Sequence, residues 1–551
     1  MSNAQNESKH HTLRSEISQQ NSRFWFIYPL LFGIYPAIAL LAENIQEIPF
    51  YLAYRSIAFV LISTILLLLV HYFILSSWAK SAAVSTLILI CLFSYGHAYE
   101  VLRHEIFPGI QIGRHRYLIP LFALILIAGY LFIATRKQIP LNVTRTLNAV
   151  GIGLLLLPGY RIASHFFHLN SSWSTERPIL SEIGEIDTTY VNDRPDIYYI
   201  ILDGYARSDY MLENYGYDNS EFISFLQNEG FYIADESHTN HNWTALSLAS
   251  SLNMSFTQDL DLKLVRGSYP SVFVKPIQQS RVRYKLEGLG YSIVGTRTGY
   301  IPTEIDDGDY FFSPDIEDLE EIRKPFSLNV YESLLFDTSA GKIITDLVHQ
   351  ENTNWVGFRT SYAHDLLREV ILSQFLALEK IPEIPDPTFS FVHIVAPHSP
   401  YLFDSEGEPR MNTEVFTLIE EANGDQDTVL YRDQAIYITR RTKEVIQTIL
   451  DRSTSPPIII IQADHGPSPP GGQNPEDGGL GLRTSIFNAY YFPGGCNRFL
   501  YPSVTPVNSF RILFNCYFGD SYELLPDKVY FSPWPRRADY EFILVYDGIP
   551  K

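Results

Sequence analysis

The chain has 551 residues, too many for one ordinary domain, with 46% hydrophobic residues and a formal net charge of -20. No basic stripe runs through its polar part, which argues against nucleic acid as a partner, because phosphate-backbone binding needs clustered Lys and Arg. Its three cysteines form no C-x-x-C metal motif, and the acidity suits a soluble, self-repelling outer domain.

A polar tail, residues 1–23, opens the chain and is expected in the cytoplasm. Five apolar runs follow, at Phe24–Ala42, Ser56–Trp78, Ser81–Tyr99, Tyr117–Thr135 and Leu147–Phe167. Each is near the ~20 residues that cross a bilayer core. Trp25, Tyr28, Tyr54, Trp78 and Tyr117 sit at their ends, as interfacial anchors do. The first run is long, follows a polar tail and lacks a small-residue cleavage site, so it reads as a span and not a cleaved signal peptide. Together the runs predict a five-helix transmembrane domain over 24–167.

Orientation follows Lys and Arg in short loops. Lys9, Arg14 and Arg23, then Lys80, then Arg136, Lys137 and Arg145 all fall on one side, expected inside. Arg103, Arg114 and Arg116 fall on the other side and conflict with this. The balance favours an inside N-terminus, and five crossings then carry the remainder outside a bacterial-type cytoplasmic membrane. Residues 168–194 read as a connector, some of it interfacial.

From Pro195 to 551, β-rich apolar runs alternate with helical patterns, the signature of an α/β domain with a central, mainly parallel sheet flanked by helices. Strands are expected at Ile197–Leu202, Tyr291–Thr296, Thr388–Val395, Pro457–Ala463 and Phe487–Phe492. Helices are expected at Asn219–Gly230, Trp243–Leu252, Val282–Gly290, Ser361–Glu379 and Tyr431–Asp451. Residues 403–428 and 466–481 are rich in Gly, Pro and acids and read as long loops at the ligand side of the sheet. Cys496 and Cys516 lie in this outer part, where a disulfide is possible. Two unpaired thiols fit the sequence equally well.

Three strand ends carry chemistry. Asp203-Gly204 follows the first strand, His398 follows the third, and Asp464-His465-Gly466 follows the fourth. In open α/β sheets, ligands bind at the carboxyl ends of strands. A buried carboxylate needs a compensating partner, and carboxylate plus imidazole is a ligand set for one divalent metal, zinc or manganese. Asp203, Thr244, Asp464 and His465 are the expected metal ligands. Thr244 stands at a helix start, where free N–H groups favour a bound anion, and is the expected nucleophile once a metal lowers its pKa. A simple N-cap role for Thr244 fits the same spacing, as does Ser247 in its place. His398 is expected to bind substrate. His393, inside a strand, reads better as a core histidine, and His241 as a loop histidine near the pocket.

These blocks, Leu-Asp-Gly, Thr-Ala-Leu-Ser-Leu-Ala-Ser-Ser-Leu-Asn, Pro-His-Ser-Pro-Tyr and Ala-Asp-His-Gly, taken in order after a five-span anchor, resemble the alkaline phosphatase/sulfatase superfamily. Within it they resemble the five-helix membrane branch of lipoteichoic acid synthases, phosphoethanolamine transferases and phosphoglycerol transferases. The resemblance implies an alkaline-phosphatase-like fold and a two-step reaction. Thr244 attacks a phosphodiester of a membrane phospholipid donor, and a cell-envelope glycan or lipid acceptor then takes the phospho-head group. It implies metal roles for Asp203, Asp464 and His465 and a substrate role for His398. Two departures matter. Pro467 stands where the family usually has an acid, which favours a single metal, and no Cys/Ser-x-Pro-x-Arg motif surrounds Thr244, which disfavours sulfatase chemistry. The alternatives are a phosphodiesterase, phosphatase or sulfatase-like hydrolase of the same fold, or a non-catalytic membrane scaffold.

Overall fold

The computed structural model of the chain describes residues 26–45, 50–103, 106–107, 110–111, 113–171, 194–264, 269–314, 328–350, 362–410, 427–467, 479–533 and 540–548. The expected cytoplasmic tail, residues 172–193 of the connector, and 411–426 and 468–478 of the two long loops lie outside the described residues. The chain divides into two compact units that are discontinuous in sequence. One joins residues 1–164 to Phe326–Thr360, and the other joins His165–Pro325 to Ser361–Lys551. Residues 195–551, expected as one domain, are thus divided by a segment that groups with the apolar helices.

The first unit holds α1 (Tyr28–Asn44), α2 (Tyr54–Leu75), α3 (Trp78–Arg103), α4 (His115–Thr135) and the larger part of α5 (Leu141–Ser171). Four of the five expected spans are helices long and apolar enough to cross a membrane. The first, α1, has 17 described residues, about 26 Å at 1.5 Å per residue. Large apolar side chains point outward, Phe59 at 70% and Phe73 at 78% exposure, an arrangement costly in water and suited to lipid. Helix α5 starts at Leu141, six residues before the expected Leu147, and its polar Asn148 is buried where it accepts a hydrogen bond from the Tyr28 backbone N–H at 3.0 Å.

The inserted segment forms two helices, Val330–Asp337 and Lys342–Gln350, where the sequence predicted no element. Asn329 and Glu332 make a reciprocal capping box that starts the first. Tyr331 donates to the Ala37 carbonyl at 2.5 Å, Asn329 Nδ2 to the Leu52 carbonyl at 3.0 Å, and the Ala340 N–H to the Leu92 carbonyl at 2.7 Å. Arg55 pairs with Glu332, and His115 Nε2 lies 2.9 Å from Asp346 Oδ2. A side chain at Gly96 would meet the Asp337 carbonyl oxygen at 2.4 Å, so the helix and the insert approach closely only because that residue has none.

The second unit is built on a seven-stranded sheet. In chain order its strands are β1 (Ile197–Leu202), β2 (Tyr232–Ile233), β3 (Ser292–Thr296), β4 (Tyr310–Phe312), β5 (Thr388–Ile394), β6 (Ile458–Gln462) and β7 (Asn488–Tyr491). Their spatial order is β2-β7-β6-β1-β5-β3-β4. The run from β6 to β4 is parallel, while β7 pairs antiparallel with both β6 and β2. The sheet is therefore mixed and mostly parallel. Strands β1, β5 and β6 are buried throughout, as a sheet covered on both faces requires. Alternation along β1 separates two cores. Tyr198, Ile200 and Leu202 face Ile371 and Phe375 of α7 (Tyr362–Lys380) and Ile438 of α8 (Asp427–Arg452). Ile197, Tyr199 and Ile201 face α6 (Thr244–Asn253) and α9 (Pro506–Tyr517). A separate hairpin, β8 (Asp527–Phe531) with β9 (Ile543–Gly548), follows, which the sequence did not predict. Cys496 and Cys516 are bonded to each other, with Cα atoms 5.9 Å apart.

Candidate metal centre

Register brings the three strand ends together. Leu202 pairs with Ile394 on β5, and Ile201 pairs with Gln462 on β6. Asp203, the 395–398 turn and Asp464-His465 consequently emerge side by side at one edge of the sheet. Gly204 takes φ +71°, which lets the chain turn sharply after Asp203, and its N–H donates to Asp464 Oδ1 at 3.1 Å. The His398 N–H donates to the Asp203 carbonyl at 3.0 Å, so the β5 turn is tied to the β1 turn through the backbone.

Asp203, Asp464 and His465 are all buried, and one ligand atom from each lies within 4.8 Å of the others. His465 Nε2 stands 3.2 Å from Asp464 Oδ2 and 3.7 Å from Asp203 Oδ1. Both of those carboxylate oxygens are buried and, among the described residues, meet no hydrogen-bond donor of sound geometry. On the far side of the ring, His465 Nδ1 lies 2.9 Å from the Gly466 carbonyl. A carbonyl can only accept, so the proton sits on Nδ1 and the Nε2 lone pair faces the carboxylates. Burial and the nearby Arg483 hold the His465 pKa well below its ordinary value, so the ring is neutral. Burial and the adjacent Asp203 push Asp464 up to about 6. Burial acts to raise Asp203 too, but His398, His393 and His465 outweigh it and hold that carboxyl below its ordinary value. Three converging electron-pair donors, two of them buried carboxylate oxygens, fit a divalent cation.

Thr244 faces this cluster. It is the first residue of α6, and the N-cap position belongs to Trp243 at φ -125° and ψ 138°. Its side chain does not cap the helix. Instead Thr244 Oγ1 lies 3.0 Å from His465 Nε2, so the simple N-cap explanation of this threonine is removed. The start of α6 is pinned from outside: the Trp243 indole donates to the Ser532 carbonyl at 2.8 Å, and Asn242 exchanges two hydrogen bonds with the same residue.

The remaining expected residues sort by contact. His398 is half-buried with its ring centre 6.0 Å from that of His465. Ser247, one turn beyond Thr244, bonds Thr239 Oγ1 at 3.0 Å and does not join the ligand cluster. His241 is fully buried, accepts the Thr257 N–H at its Nε2 and stacks on Tyr530, so it is neither a loop nor a pocket-lining histidine but part of the core. His393, read as a core histidine, is buried but also reaches the site. Its Nε2 is 3.2 Å from Asp203 Oδ2 and its Nδ1 3.0 Å from Thr303 Oγ1.

Sequence reasoning missed Arg483, which is 1% exposed. It sits on a short helix, Leu480–Thr484, and donates from Nε to the Asn242 carbonyl and from Nη1 to the Gly466 carbonyl, each at 2.9 Å. It also missed Tyr269, whose hydroxyl accepts the Ala245 N–H, and Tyr300, which bonds Tyr269. Nothing in the local pattern around these three residues marks them.

No family model matches the chain, and no curated protein matches it. Solved structures do. The zinc complex of the C-terminal periplasmic domain of EptC from Escherichia coli is 10% identical, covers 65% of this chain and 93% of that one, and superposes with a TM-score of 0.39. The integral membrane lipooligosaccharide phosphoethanolamine transferase A (EptA) of Neisseria meningitidis is 13% identical, covers 86% of this chain and 88% of that one, and gives 0.34. A 2-O GAG sulfatase is 12% identical, covers 60% of this chain and 72% of that one, and gives 0.37.

Proposed function

We propose that this protein is a membrane-anchored, metal-dependent transferase. It would move a phospho-head group, of the phosphoethanolamine or phosphoglycerol type, from a phospholipid-like donor to a cell-envelope glycan or lipid. The observation that carries this is the placement of Thr244 Oγ1 at His465 Nε2, beside two buried carboxylate oxygens, one of Asp203 and one of Asp464.

Asp203, Asp464, His465 and Thr244 would hold one divalent cation, zinc or manganese. Such a cation lowers the pKa of a hydroxyl and stabilises charge on a phosphoryl group. Asp203 and Asp464 balance positive charge in a buried place, and the Gly466 carbonyl keeps the His465 lone pair pointed inward. Thr244 Oγ forms the bond to phosphorus as the bond from phosphorus to the diacylglycerol oxygen breaks. The threonine proton ends on that leaving oxygen, and His398 would carry it. In the second step an acceptor hydroxyl bonds to phosphorus as the bond from phosphorus to Thr244 Oγ breaks, and the acceptor's proton returns to that oxygen.

The outer side of a bacterial-type cytoplasmic membrane, with the N-terminus inside, is the location this chemistry fits. The Cys496–Cys516 bond supports an oxidising compartment. The contacts of the insert support the same topology. They lie at the C-terminal half of α1, beside the start of α2 and near the start of α4, which is the end of the bundle away from Tyr28.

Intact-mass and peptide mass spectrometry of the protein from its native membrane tests the reading. A phospho-head-group adduct on Thr244 is expected, and an adduct on Ser247 instead would sink it. A hydrolase of the same fold forms the same adduct, and differs in that added acceptor sugars or lipids leave turnover at the hydrolytic rate.

A further inference from the structure

Arg483 joins the two loops that carry the reacting groups. Asn242, whose carbonyl it binds through Nε, is two residues before Thr244, and Gly466, whose carbonyl it binds through Nη1, directly follows His465. The link to Gly466 is double, since the Gly466 N–H also donates to the Arg483 carbonyl at 2.7 Å. A side chain at position 466 would stand 1.9 Å from the Leu482 carbonyl oxygen, so this approach requires glycine. The guanidinium carbon lies 5.2 Å over the Trp243 ring, one residue before Thr244. Burial lowers the guanidinium to about 10, which leaves it charged at neutral pH. A planar fork that donates in two directions can span both carbonyls, and an ammonium cannot hold the same geometry.

We propose that Arg483 is a positioning residue that holds the Thr244 hydroxyl at the His465 imidazole, through its fork of donors and not through its charge alone. This rests on the reading of Thr244 as the phosphate acceptor. Arg483 acts through the backbone carbonyls of Asn242 and Gly466.

The test uses the full chain in detergent, as wild type, Thr244→Val and Arg483→Lys. Each metal-free protein is titrated with Co2+ and its visible absorption spectrum recorded, and hydrolysis of bis(4-nitrophenyl) phosphate is followed. Arg483→Lys should keep a melting temperature near that of wild type and a cobalt affinity within about threefold. Its spectrum should resemble that of Thr244→Val, with kcat down roughly 100-fold and KM within about threefold, the size expected when a reacting group is misplaced by about 1 Å. A merely structural arginine would shift the melting temperature and leave the spectrum as in wild type. A wild-type spectrum with kcat within threefold overturns the proposal and leaves the transferase reading standing. Failure of the wild-type chain itself to bind cobalt or turn over overturns the transferase reading, and the proposal with it. Should Arg483→Lys not fold, Arg483→Gln, which keeps one donor, carries the same comparison.

Discussion

Thr244 Oγ1 stands 3.0 Å from His465 Nε2 although 221 residues separate them in the chain. The same hydroxyl also hydrogen-bonds Asp464, so it is held between the imidazole and a carboxylate. Thr244→Val should therefore abolish the covalent adduct and lower turnover roughly 10³-fold or more. Thr244→Ser, which keeps the oxygen, should retain the adduct at a reduced rate. Peptide mass spectrometry of the three proteins decides, and an adduct that survives in Thr244→Val would exclude this residue as the acceptor.

A cation bound between the buried oxygens of Asp203 and Asp464 would stabilise the folded state. Dialysis against a chelator should lower the melting temperature, and zinc or manganese should restore it. Saturation at 100 times the dissociation constant corresponds to about 2.7 kcal/mol. Asp464→Asn should lose most of that response. A melting temperature indifferent to both chelator and metal would argue against a cation at this cluster.

Burial lowers His241 from 6.5 to about 3. The unfolded chain then takes up a proton near pH 6.5 that the folded chain refuses. The contribution of His241 to stability is present above pH 6.5 and is lost as pH falls toward 3. The slope is at most about 1.4 kcal/mol per pH unit. His241→Gln, which keeps an acceptor for the Thr257 N–H, should show a shallower fall in unfolding free energy between pH 6.5 and 4.5. Parallel pH profiles for the two proteins would contradict this account.

The Cys496–Cys516 bond closes a loop with a sequence separation of 20 residues. Chain-entropy arguments give such a bond about 3 kcal/mol. Replacing both cysteines by serine should lower the denaturant midpoint accordingly, and wild type under reducing conditions should match it.

The strands that carry the site were legible because each is a run of apolar residues ending in Asp or His, and a strand buried on both faces must read that way. Register could then be left to the fold. Arg483 was not legible, since a buried arginine is stabilised by carbonyls at 242 and 466 that only the folded chain brings near. His393 was half legible. Its place inside β5 marked it as buried, but its contact with Asp203 depends on the β1–β5 register. His241 looked like a loop residue because its neighbours are polar, and the β8–β9 hairpin that covers it comes from some 290 residues away in the chain.

The insert has a practical side for anyone who wants the sheet-bearing unit in aqueous solution. Tyr331 is fully buried and Leu335 8% exposed against residues of the apolar helices. A fragment starting after α5 would keep both side chains and lose everything that covers them. It should aggregate or be clipped there by proteases, and replacing 326–360 with a short flexible bridge should cure that.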